Sequence, residues 1–562
     1  MHQPTTQPRS SLYYNYKIHQ PWLPKGKTQP ERMTVVIVGS GPAGLVAALK
    51  LAKLGVPSVV LSAELQVSQG SRAIVFTRRS MEILQDVGVA DRVSAAGLPW
   101  RFGNSYFRGQ HVFRMEAPHD EDDRFFPMIN LQQQYLEEYL LQACGEEPLI
   151  ELRWGNKVER IEQAATHATL TVDTPAGVYE QQAQWVLAAD GGRSAIRAAM
   201  NLQMEGASYE GYFVIADIRC DLPLPTERLA FFDPDWNPGN TVLVHREPHG
   251  IWRVDYQLPK GETPEQALKS ESLKARIDAT LAMVGFAGIT WTMDWYSVYS
   301  ARALTLPDYV QNRVLFAGDA AHLLPIFGVR GANTAFQDAQ SVAWHLAMVV
   351  KGQASEKLLA NYSAERVGAA REIIEEGGKS TRFMTPPSRG FQMLRDAVLS
   401  LSLTEQFVRP LYHWRTSRPH EYTDSALNAT DDDNLLFQTG PGDGAAPQNV
   451  RLAANDYLLD HVGPGFTLLY ACNEHGIPAA VRAVVDAARA KHLPVKLVAV
   501  GTARANGADL SLADGQGRLR RRYGMQAAGS AYLLRPDQHI CARWICLDAS
   551  RLSAALSQAL PH

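Results

Sequence analysis

The sequence predicts an α/β protein built on a parallel, dinucleotide-binding sheet, with an inserted β-sheet unit and a smaller α/β domain at the C-terminal end. First, VVIVGSGPAGLVAALKLAKLG, residues 35–55, has the pattern of an apolar strand, a glycine-rich loop and a helix. Second, strand and helix patterns alternate up to about residue 384. Third, 562 residues exceed a single hydrophobic core, so roughly two to four domains are expected.

Composition narrows the class of protein. With 46% hydrophobic residues, 20% charged residues and a net charge of −3, the chain lacks the basic surface typical of nucleic-acid or membrane partners. No apolar run approaches the roughly 20 residues that span a bilayer, and residues 1–32 lack the apolar core of a secretory signal. The five cysteines form no C-x-x-C pair, so we expect no disulfide framework, no metal site and a cytoplasmic location.

Other stretches predict individual elements. Residues 241–258, TVLVHREPHGIWRVDYQL, have the alternation and the Pro/Gly turn of a β-hairpin. Residues 331–352, GANTAFQDAQSVAWHLAMVVKG, predict a long helix that stops at its last glycine. Residues 430–449 are acidic, rich in Gly and Pro and without periodicity, which favours a linker. Strand and helix patterns beyond residue 465 then predict a small α/β unit.

The glycine-rich loop is the clearest binding motif. It has the form G-x-G-x-x-G between a strand and a helix, which is the context of a dinucleotide site. The first glycine permits a tight turn, the second lets the backbone approach a pyrophosphate, and the third lets the helix pack on the strand. The N-terminal N–H groups of the helix then face the phosphates. The predicted contacts are Gly39, Gly41, Pro42, Ala43 and Gly44.

A ribose-binding acid is expected about 20 residues after such a loop, at the end of the second strand. The strand in VVLSAE ends at Ser62, and Glu64 follows two residues later. Glu64 is therefore the candidate for the ribose hydroxyls, and the alternative is a solvated surface side chain.

Two later motifs also follow apolar strands. VLAADGG places Asp190 before a glycine, and VLFAGDAAH places Gly318 and Asp319 at a strand end. The loop, the Asp-Gly pair and the Gly-Asp pair, in this order, resemble the single-component flavin aromatic hydroxylases of the p-hydroxybenzoate hydroxylase family. GSRAIVFTRRSMEIL, GVRGAN and YLLRPDQHICARW resemble the branch that carries a C-terminal thioredoxin-like domain, which includes phenol hydroxylase and 3-(3-hydroxyphenyl)propionate hydroxylase.

The resemblance implies noncovalent FAD, NAD(P)H as a transient cosubstrate, and dioxygen. It implies hydroxylation of a small phenolic or aromatic substrate through a flavin C4a-hydroperoxide. No second G-x-G-x-x-G followed by a helix offers a separate nicotinamide domain, so transient binding is expected. A homodimer is left open. The expected segments are an arm at 1–33, an FAD-binding domain at 34–390 with a substrate part mainly at 81–126 and 206–304, a helical segment and linker at 391–445, and a thioredoxin-like domain without C-x-x-C at 446–562.

The flavin loop has a direct physical interpretation. A carboxylate at Asp319 can accept a hydrogen bond from a ribityl hydroxyl, and charged acceptors make the stronger hydrogen bonds. The helix that starts near Gly331 has a positive N-terminal end, which suits the negative charge of reduced flavin. In the family this loop holds the flavin, so the amides of Gly331, Ala332 and Asn333 are expected to do so here.

Three further cofactor contacts are implied by the resemblance alone. Arg72 matches an arginine near the flavin, Gln133 a glutamine that contacts the cofactor, and Asp190 an aspartate near the pyrophosphate. The alternatives are a surface salt bridge for Arg72, a helix-surface residue for Gln133 and a plain Asp-Gly turn for Asp190.

The chain departs from the family pattern at two places. Ser62 stands where members usually carry an acid, so ribose recognition is expected to shift to Glu64 or to water. Pro325-Ile326 replaces the usual Pro-Pro that borders the substrate ring. His322, which is usual in GDAAH, is expected to be structural.

Substrate contacts are expected from the inserted sheet and from Pro325. Alternation in IWRVDYQL puts Trp252, Val254, Tyr256 and Leu258 on one face and Arg253, Asp255 and Gln257 on the other, and which face lines the cavity is left open. The candidates are Asp217, His245, Arg253, Tyr256, Tyr299 and Pro325, with Tyr299 and Arg253 preferred for a phenol or a carboxylate. The alternative for each of the five sheet residues is an ordinary sheet or core residue.

Other functions stay open. The same fold can hydroxylate a polyketide or an antibiotic-like aromatic, or act as a flavin oxidase or another oxygenase. The halogenase motif W-x-W-x-I-P and the Baeyer–Villiger fingerprint are absent. A non-catalytic flavoprotein is a further alternative. Such a protein would not need an intact flavin loop, whereas GVRGAN is intact in this chain.

Overall fold

The computed structural model describes residues 1–24, 31–70, 72–209, 211–325, 327–411, 418–430, 432–501 and 505–561. The departure at Ile326 lies outside the described residues. No helix of these segments is long and apolar enough to cross a membrane. The α-helices, in chain order, are α1 Pro42–Lys53, α2 Arg78–Asp86, α3 Ala90–Ala96, α4 Gln133–Glu146, α5 Ala195–Ala199, α6 Pro264–Ala267, α7 Ser270–Met283, α8 Gly331–Val350, α9 Lys357–Met384, α10 Arg389–Leu401, α11 Ala479–Ala490, α12 Arg518–Arg522 and α13 Ala549–Ala559.

The strands form several sheets. In chain order they are β1 Met33–Val38, β2 Ser58–Leu61, β3 Val75–Thr77, β4 Leu98–Trp100, β5 Phe102–Phe107, β6 Gln110–Glu116, β7 Met128–Asn130, β8 Ile150–Arg153, β9 Lys157–Gln163, β10 Ala168–Thr174, β11 Gly177–Ala188, β12 Glu205–Ser208, β13 Phe213–Arg219, β14 Arg228–Phe232, β15 Thr241–Glu247, β16 Ile251–Gln257, β17 Thr292–Tyr299, β18 Arg302–Thr305, β19 Val310–Gln311, β20 Val314–Phe316, β21 His322–Leu323, β22 Arg451–Ala453, β23 Asp456–Tyr457, β24 Phe466–Ala471, β25 Val495–Val500, β26 Leu510–Leu512, β27 Ala531–Leu534 and β28 Ile540–Trp544.

The main sheet brings the three sequence motifs to one edge. Its order is β19-β20-β11-β1-β2-β8, with β10 and β9 extending it beyond β11. Strands β1, β11 and β20 run parallel, and their last residues, Val38, Ala188 and Phe316, lie in register. The carboxyl ends of neighbouring parallel strands meet at one edge of a sheet, where α/β folds bind ligands. The glycine loop, the Asp-Gly turn and the Gly-Asp turn are therefore neighbours.

A seven-stranded sheet, ordered β17-β13-β16-β15-β14-β5-β6, forms the inserted unit. One face packs with α7 in a core that includes Trp252, Val254 and Tyr256, and we call it the outer face. The opposite, inner face carries Phe213 and Phe232, which share a core with Phe327 and residues of α9 and α10. Both faces are buried because a helix covers one and the FAD-binding body covers the other.

The C-terminal unit has a five-stranded mixed sheet, ordered β26-β25-β24-β27-β28, with α11 and α13 among its helices. Its hairpin at Arg535–His539 enters a buried polar junction with the body. Arg535 donates to Glu365 of α9 at 2.6 Å and to Asp537 at 2.8 Å, and Trp344 of α8 donates to Asp537 at 2.9 Å. The likeness to thioredoxin and the bounds of the four predicted segments stay predictions.

Residues 1–24 lie along the body and the inserted sheet. The His19 amide donates to Leu65 O at 2.7 Å and the Trp22 amide to Trp154 O at 2.9 Å. Ser11 donates to the carboxylate of Asp294 at 2.9 Å. The arm thus joins the segment after β2 to strand β17 of the inserted sheet.

Candidate active site

The glycine loop has the geometry that its sequence predicts. Gly39 has φ +112°, and a Cβ there would lie 2.3 Å from Ala189 O. A Cβ at Gly44 would lie 2.1 Å from Gly39 O, so the helix approaches the loop as closely as a glycine allows. At Gly41 a Cβ would meet no described atom within 4 Å, so its backbone borders open space. The loop therefore leaves room for a pyrophosphate beside its second glycine.

Helix α1 begins at Pro42, and the Leu45 amide donates to Gly41 O at 3.1 Å. The side chain of Ala43 packs against the Gly318 backbone, where a Cβ would come within 3.2 Å of it. The positive end of α1 thus lies beside the Gly-Asp turn.

Ser62 ends β2 beside this loop. Ser40 Oγ donates to Ser62 Oγ at 2.8 Å, and Ser62 donates to Glu64 O at 3.2 Å. Ser62 is buried and Glu64 is exposed. The ribose contact of Glu64 stays a prediction.

Asp319 opens onto the cleft at this edge of the sheet. Its side chain is exposed, yet burial by the surrounding protein raises its pKa, while nearby His322, Arg72 and Arg197 lower it. The turn itself is fixed from behind, because Gly318 N donates to Asp338 at 2.9 Å and Arg197 donates to Ala320 O at 3.0 Å.

Asp190 lies beside the glycine loop, since a Cβ at Gly39 would come within 3.0 Å of its Cα. One carboxylate oxygen accepts from the Ile196 amide at 3.2 Å, at the start of α5, and the other has no hydrogen-bond partner among the described residues. Burial raises its pKa, which hydrogen bonds at the α5 N-terminus oppose. Asp190 therefore does more than form a turn, since it accepts from an amide in the first turn of α5, and its contact with the pyrophosphate stays a prediction.

The N-terminus of α8 completes the cleft. A Cβ at Gly331 would meet no atom of the described residues within 4 Å, and Ala332 is half-buried. Asn333 is buried; its Oδ1 accepts from the Thr77 amide at 2.9 Å, and its Nδ2 donates to Val75 O at 3.0 Å. The Asn333 side chain thus pins α8 to β3, and the flavin contacts of these three amides stay predictions.

Gln133 and Arg72 form a second supporting pair. Gln133 is buried, which rules out the helix-surface alternative; it accepts from the Ala73 amide at 3.1 Å and donates to Glu137 at 2.7 Å. Arg72 is exposed, and its charge lowers the pKa of Asp319. Gln133 therefore holds the backbone that presents Arg72 to the cleft.

An aromatic cluster joins the flavin loop to the inner face of the inserted sheet. Phe327 contacts Phe213 edge-on at 5.3 Å, and Phe213 stacks on Tyr299 at 5.6 Å. Pro325 is buried against Gly377 of α9. The structure thus brings Tyr299 and Pro325 to the same region as the cofactor-binding segments.

The sheet decides between the two faces of IWRVDYQL. Arg253 is on the inner face; it forms a two-pronged pair with Asp217 at 2.8 and 3.0 Å and donates to Arg72 O at 3.2 Å. Tyr256 is on the outer face, edge-on to Trp236 at 5.7 Å, and is not brought to the site. Because Asp217 occupies its guanidinium, Arg253 acts on the backbone of Arg72 rather than as an open cation.

Several site residues were not among the sequence candidates. Asp338 follows no motif and lies within a helix. Alternation in IWRVDYQL places Asp255 on the Arg253 face, and this is the signal in the sequence that points to it. The others are Arg228, Phe213 and Phe327, which face the same region.

A glycine loop, a strand-end aspartate and a helix N-terminus that share one cleft define a flavin-binding protein. The model of the FAD binding domain family matches residues 32–377, and the chain belongs to that family. FAD is therefore its cofactor, and the described residues leave the space and the acceptors that it needs.

Relatives and solved structures agree with this assignment. The chain is 28% identical over 368 residues to a 3-(3-hydroxy-phenyl)propionate/3-hydroxycinnamic acid hydroxylase of Comamonas testosteroni, which covers 65% of this chain and 61% of that protein. The protein of the same name from Escherichia coli O157:H7 (strain EC4115 / EHEC) is 27% identical, with 90% and 91% covered. The flavin-dependent monooxygenase PieE, crystallised with FAD and substrate, has the same fold, with a TM-score of 0.79, 23% identity and 95% and 99% covered.

Proposed function

We propose that the protein hydroxylates a phenolic or related aromatic substrate with FAD, NAD(P)H and dioxygen. The observation that carries the proposal is the meeting of the glycine loop, the Gly318 turn and α8, where Ala43 and Ala335 flank Gly318. Phe327, which follows that turn, contacts Phe213 on the inner face of the inserted sheet. The names of the two relatives support a phenol with a carboxylate side chain as the first substrate to test.

The chain's own part in the reaction is to bind, orient and exclude water. When bound, FAD supplies the redox chemistry, which is acceptance of a hydride from NAD(P)H and activation of dioxygen. The glycine loop and α1 hold the pyrophosphate, and Asp319 accepts from a ribityl hydroxyl. The N-terminus of α8 favours negative charge on the flavin ring.

Water exclusion falls to the aromatic cluster. Phe327, Phe213 and Tyr299 cover the region between the flavin loop and the sheet, with Pro325 packed behind them. A dry site strengthens electrostatic interactions and prevents loss of reactive oxygen to water. NAD(P)H use, the homodimer and the cytoplasmic location belong to this proposal as expectations.

The test is oxygen incorporation. Purified protein with FAD should oxidise NAD(P)H faster when 3-(3-hydroxyphenyl)propionate is added, and the product should gain one atom from labelled dioxygen. A panel that includes larger polycyclic aromatics distinguishes the substrate class. Label found only in hydrogen peroxide for every aromatic tried would favour an oxidase and overturn the proposal.

Asp319 gives a test of cofactor binding. Asp319→Ala should raise the Kd for FAD by about 10- to 100-fold, since a hydrogen bond to a charged group contributes about 1.5–3 kcal/mol. Asp278→Asn, at the surface of α7, is the control and should leave the Kd unchanged. An equal Kd for Asp319→Ala would remove this residue from the site.

A further inference from the structure

A buried acid lies between two points where the inserted sheet touches cofactor-binding segments. Asp255 is on the inner face of β16, two residues after Arg253, which donates to Arg72 O. In the other direction along β16, the next inner-face residue after Asp255 pairs with Phe213 of β13. Phe213 in turn contacts Phe327 of the flavin loop. Because alternate residues of a strand point the same way, Asp255 faces the region between these two contacts.

Asp255 and His245 leave polar atoms without partners. Asp255 Oδ2 is 3.8 Å from His245 Nε2, on the neighbouring strand β15. Asp255 Oδ1 and His245 Nδ1 have no hydrogen-bond partner among the described residues, although the two residues are only 8% and 3% exposed. Buried polar atoms are nearly always paired, and leaving one unpaired costs about 1–3 kcal/mol. Such a pair of atoms is available to a ligand that carries a polar hydrogen.

The surroundings set the basicity of this carboxylate. Burial raises the pKa of Asp255 from 3.8 to about 7, and Asp217 also raises it, while Arg253 and Arg228 lower it. Burial and the two arginines lower the pKa of His245, so its imidazole is neutral. The charged and titratable groups that face Asp255 are Arg253 on its own strand, Asp217 on β13, Arg228 on β14, His245 and Glu247 on β15, and Tyr299 on β17.

We propose that Asp255 is the catalytic base that takes the proton of the substrate's ring hydroxyl, with the neutral His245 beside it at 3.8 Å. This rests on the proposed function. The O–H bond of the phenol breaks, its electron pair stays on the phenolate oxygen, and the proton forms a new O–H bond on Asp255 Oδ1. The ring becomes more electron-rich, which suits attack on an electrophilic oxygen. A general base of this kind accelerates a step by about 10²- to 10⁴-fold.

The sign of the pH dependence follows from the role. The base acts as a carboxylate, so the hydroxylation rate should fall as the pH drops through about 7. Phenols that are already ionised at that pH need no base, so this fall should disappear when strongly acidic nitro- or fluorophenols replace a plain phenol. Both measurements use the FAD-loaded protein without any substitution, so they hold even if a variant fails to fold.

Asp255→Asn provides the direct test. Hydroxylation of a weakly acidic phenol should fall by about 100-fold, with dioxygen diverted to peroxide, while reduction of the bound flavin by NAD(P)H changes less than about threefold. The loss should shrink as the phenol becomes more acidic. His245→Gln should give a smaller loss of about tenfold. Asp278→Asn makes the same chemical change on the outer surface and should match the original protein.

These experiments distinguish a failure of the proposed function from a failure of the assignment of Asp255 as the base. If the original protein hydroxylates no aromatic, the proposed function fails. If it hydroxylates but Asp255→Asn keeps the rate and the pH limb, the base assignment is wrong while the function stands.

Discussion

Asp338 and Asp255 are both buried aspartates, yet their surroundings have opposite effects. Asp338 accepts from Gly318 N at 2.9 Å, His322 at 2.6 Å and Arg366 at 2.6 Å. Burial alone would raise the pKa of Asp338, but Arg366 and His322 hold it well below its usual range. Asp255 has an oxygen without a hydrogen-bond partner in the described part of the chain, and burial raises its pKa to about 7.

The contrast separates a carboxylate that holds the fold from one that is available for a reaction. A fully paired buried charge fixes its neighbours, which here are the flavin-loop turn and α9, and its removal leaves a partner uncompensated. An incompletely paired charge reduces stability but keeps its proton affinity near neutral pH, which suits proton transfer.

The largest effect should come from Asp338→Asn. Arg366 loses its buried counter-charge, and Gly318 N loses a charged acceptor, so the free energy of unfolding should fall by about 3–5 kcal/mol. Urea unfolding at fixed FAD concentration measures this, with Asp278→Asn as a control expected to stay within about 0.5 kcal/mol. An unchanged curve would mean that Tyr422 and Thr334 O, the other acceptors of Arg366, suffice for it.

The second-largest effect is a gain in the free energy of unfolding rather than a loss. Because the pKa of Asp255 is higher in the folded chain than its ordinary 3.8, this group should make the free energy of unfolding fall as pH rises from about 4 to about 7. Asp255→Asn should therefore be more stable than the original protein at about pH 8, by up to about 4 kcal/mol, and similar at about pH 4. A variant that is less stable at the higher pH contradicts the assignment.

The smallest effects on stability are expected from substituting His322 and His245. His322→Gln removes a 2.6 Å bond to a charged acceptor and should cost about 1.5–3 kcal/mol. His245→Gln removes an imidazole that lies 3.8 Å from Asp255 and whose Nδ1 has no partner among the residues the structure describes, so it should cost less than about 1 kcal/mol. Matched urea unfolding curves measure both losses of stability. Equal losses would contradict the contrast between the surroundings of Asp338 and those of Asp255.

Sequence patterns predicted the part of the site that depends on strand ends. Gly39, Asp190 and Gly318 each follow an apolar strand, and parallel strands place such ends together, so their meeting needed no further information. The expected membership of a flavin-binding family is confirmed by the match over residues 32–377.

The substrate side was not predictable in the same way. Alternation sorted IWRVDYQL into two faces, but both are buried, so polarity could not tell which one met the flavin body. The Arg253–Asp217 pair joins residues 36 positions apart, and Asp338 meets Arg366 from the middle of another helix. Contacts of this kind depend on tertiary packing, which leaves no short-range pattern.

The polar junction at the Arg535–His539 hairpin limits how this architecture can be recombined. A chimera that takes its C-terminal unit from a relative would bring a foreign hairpin against Glu365 and Trp344, and each mismatched partner would bury an unpaired polar group. Chimeras made to change substrate preference should therefore fold when the two parent sequences are joined within the inserted sheet. They should also fold when both sides of the junction come from one parent.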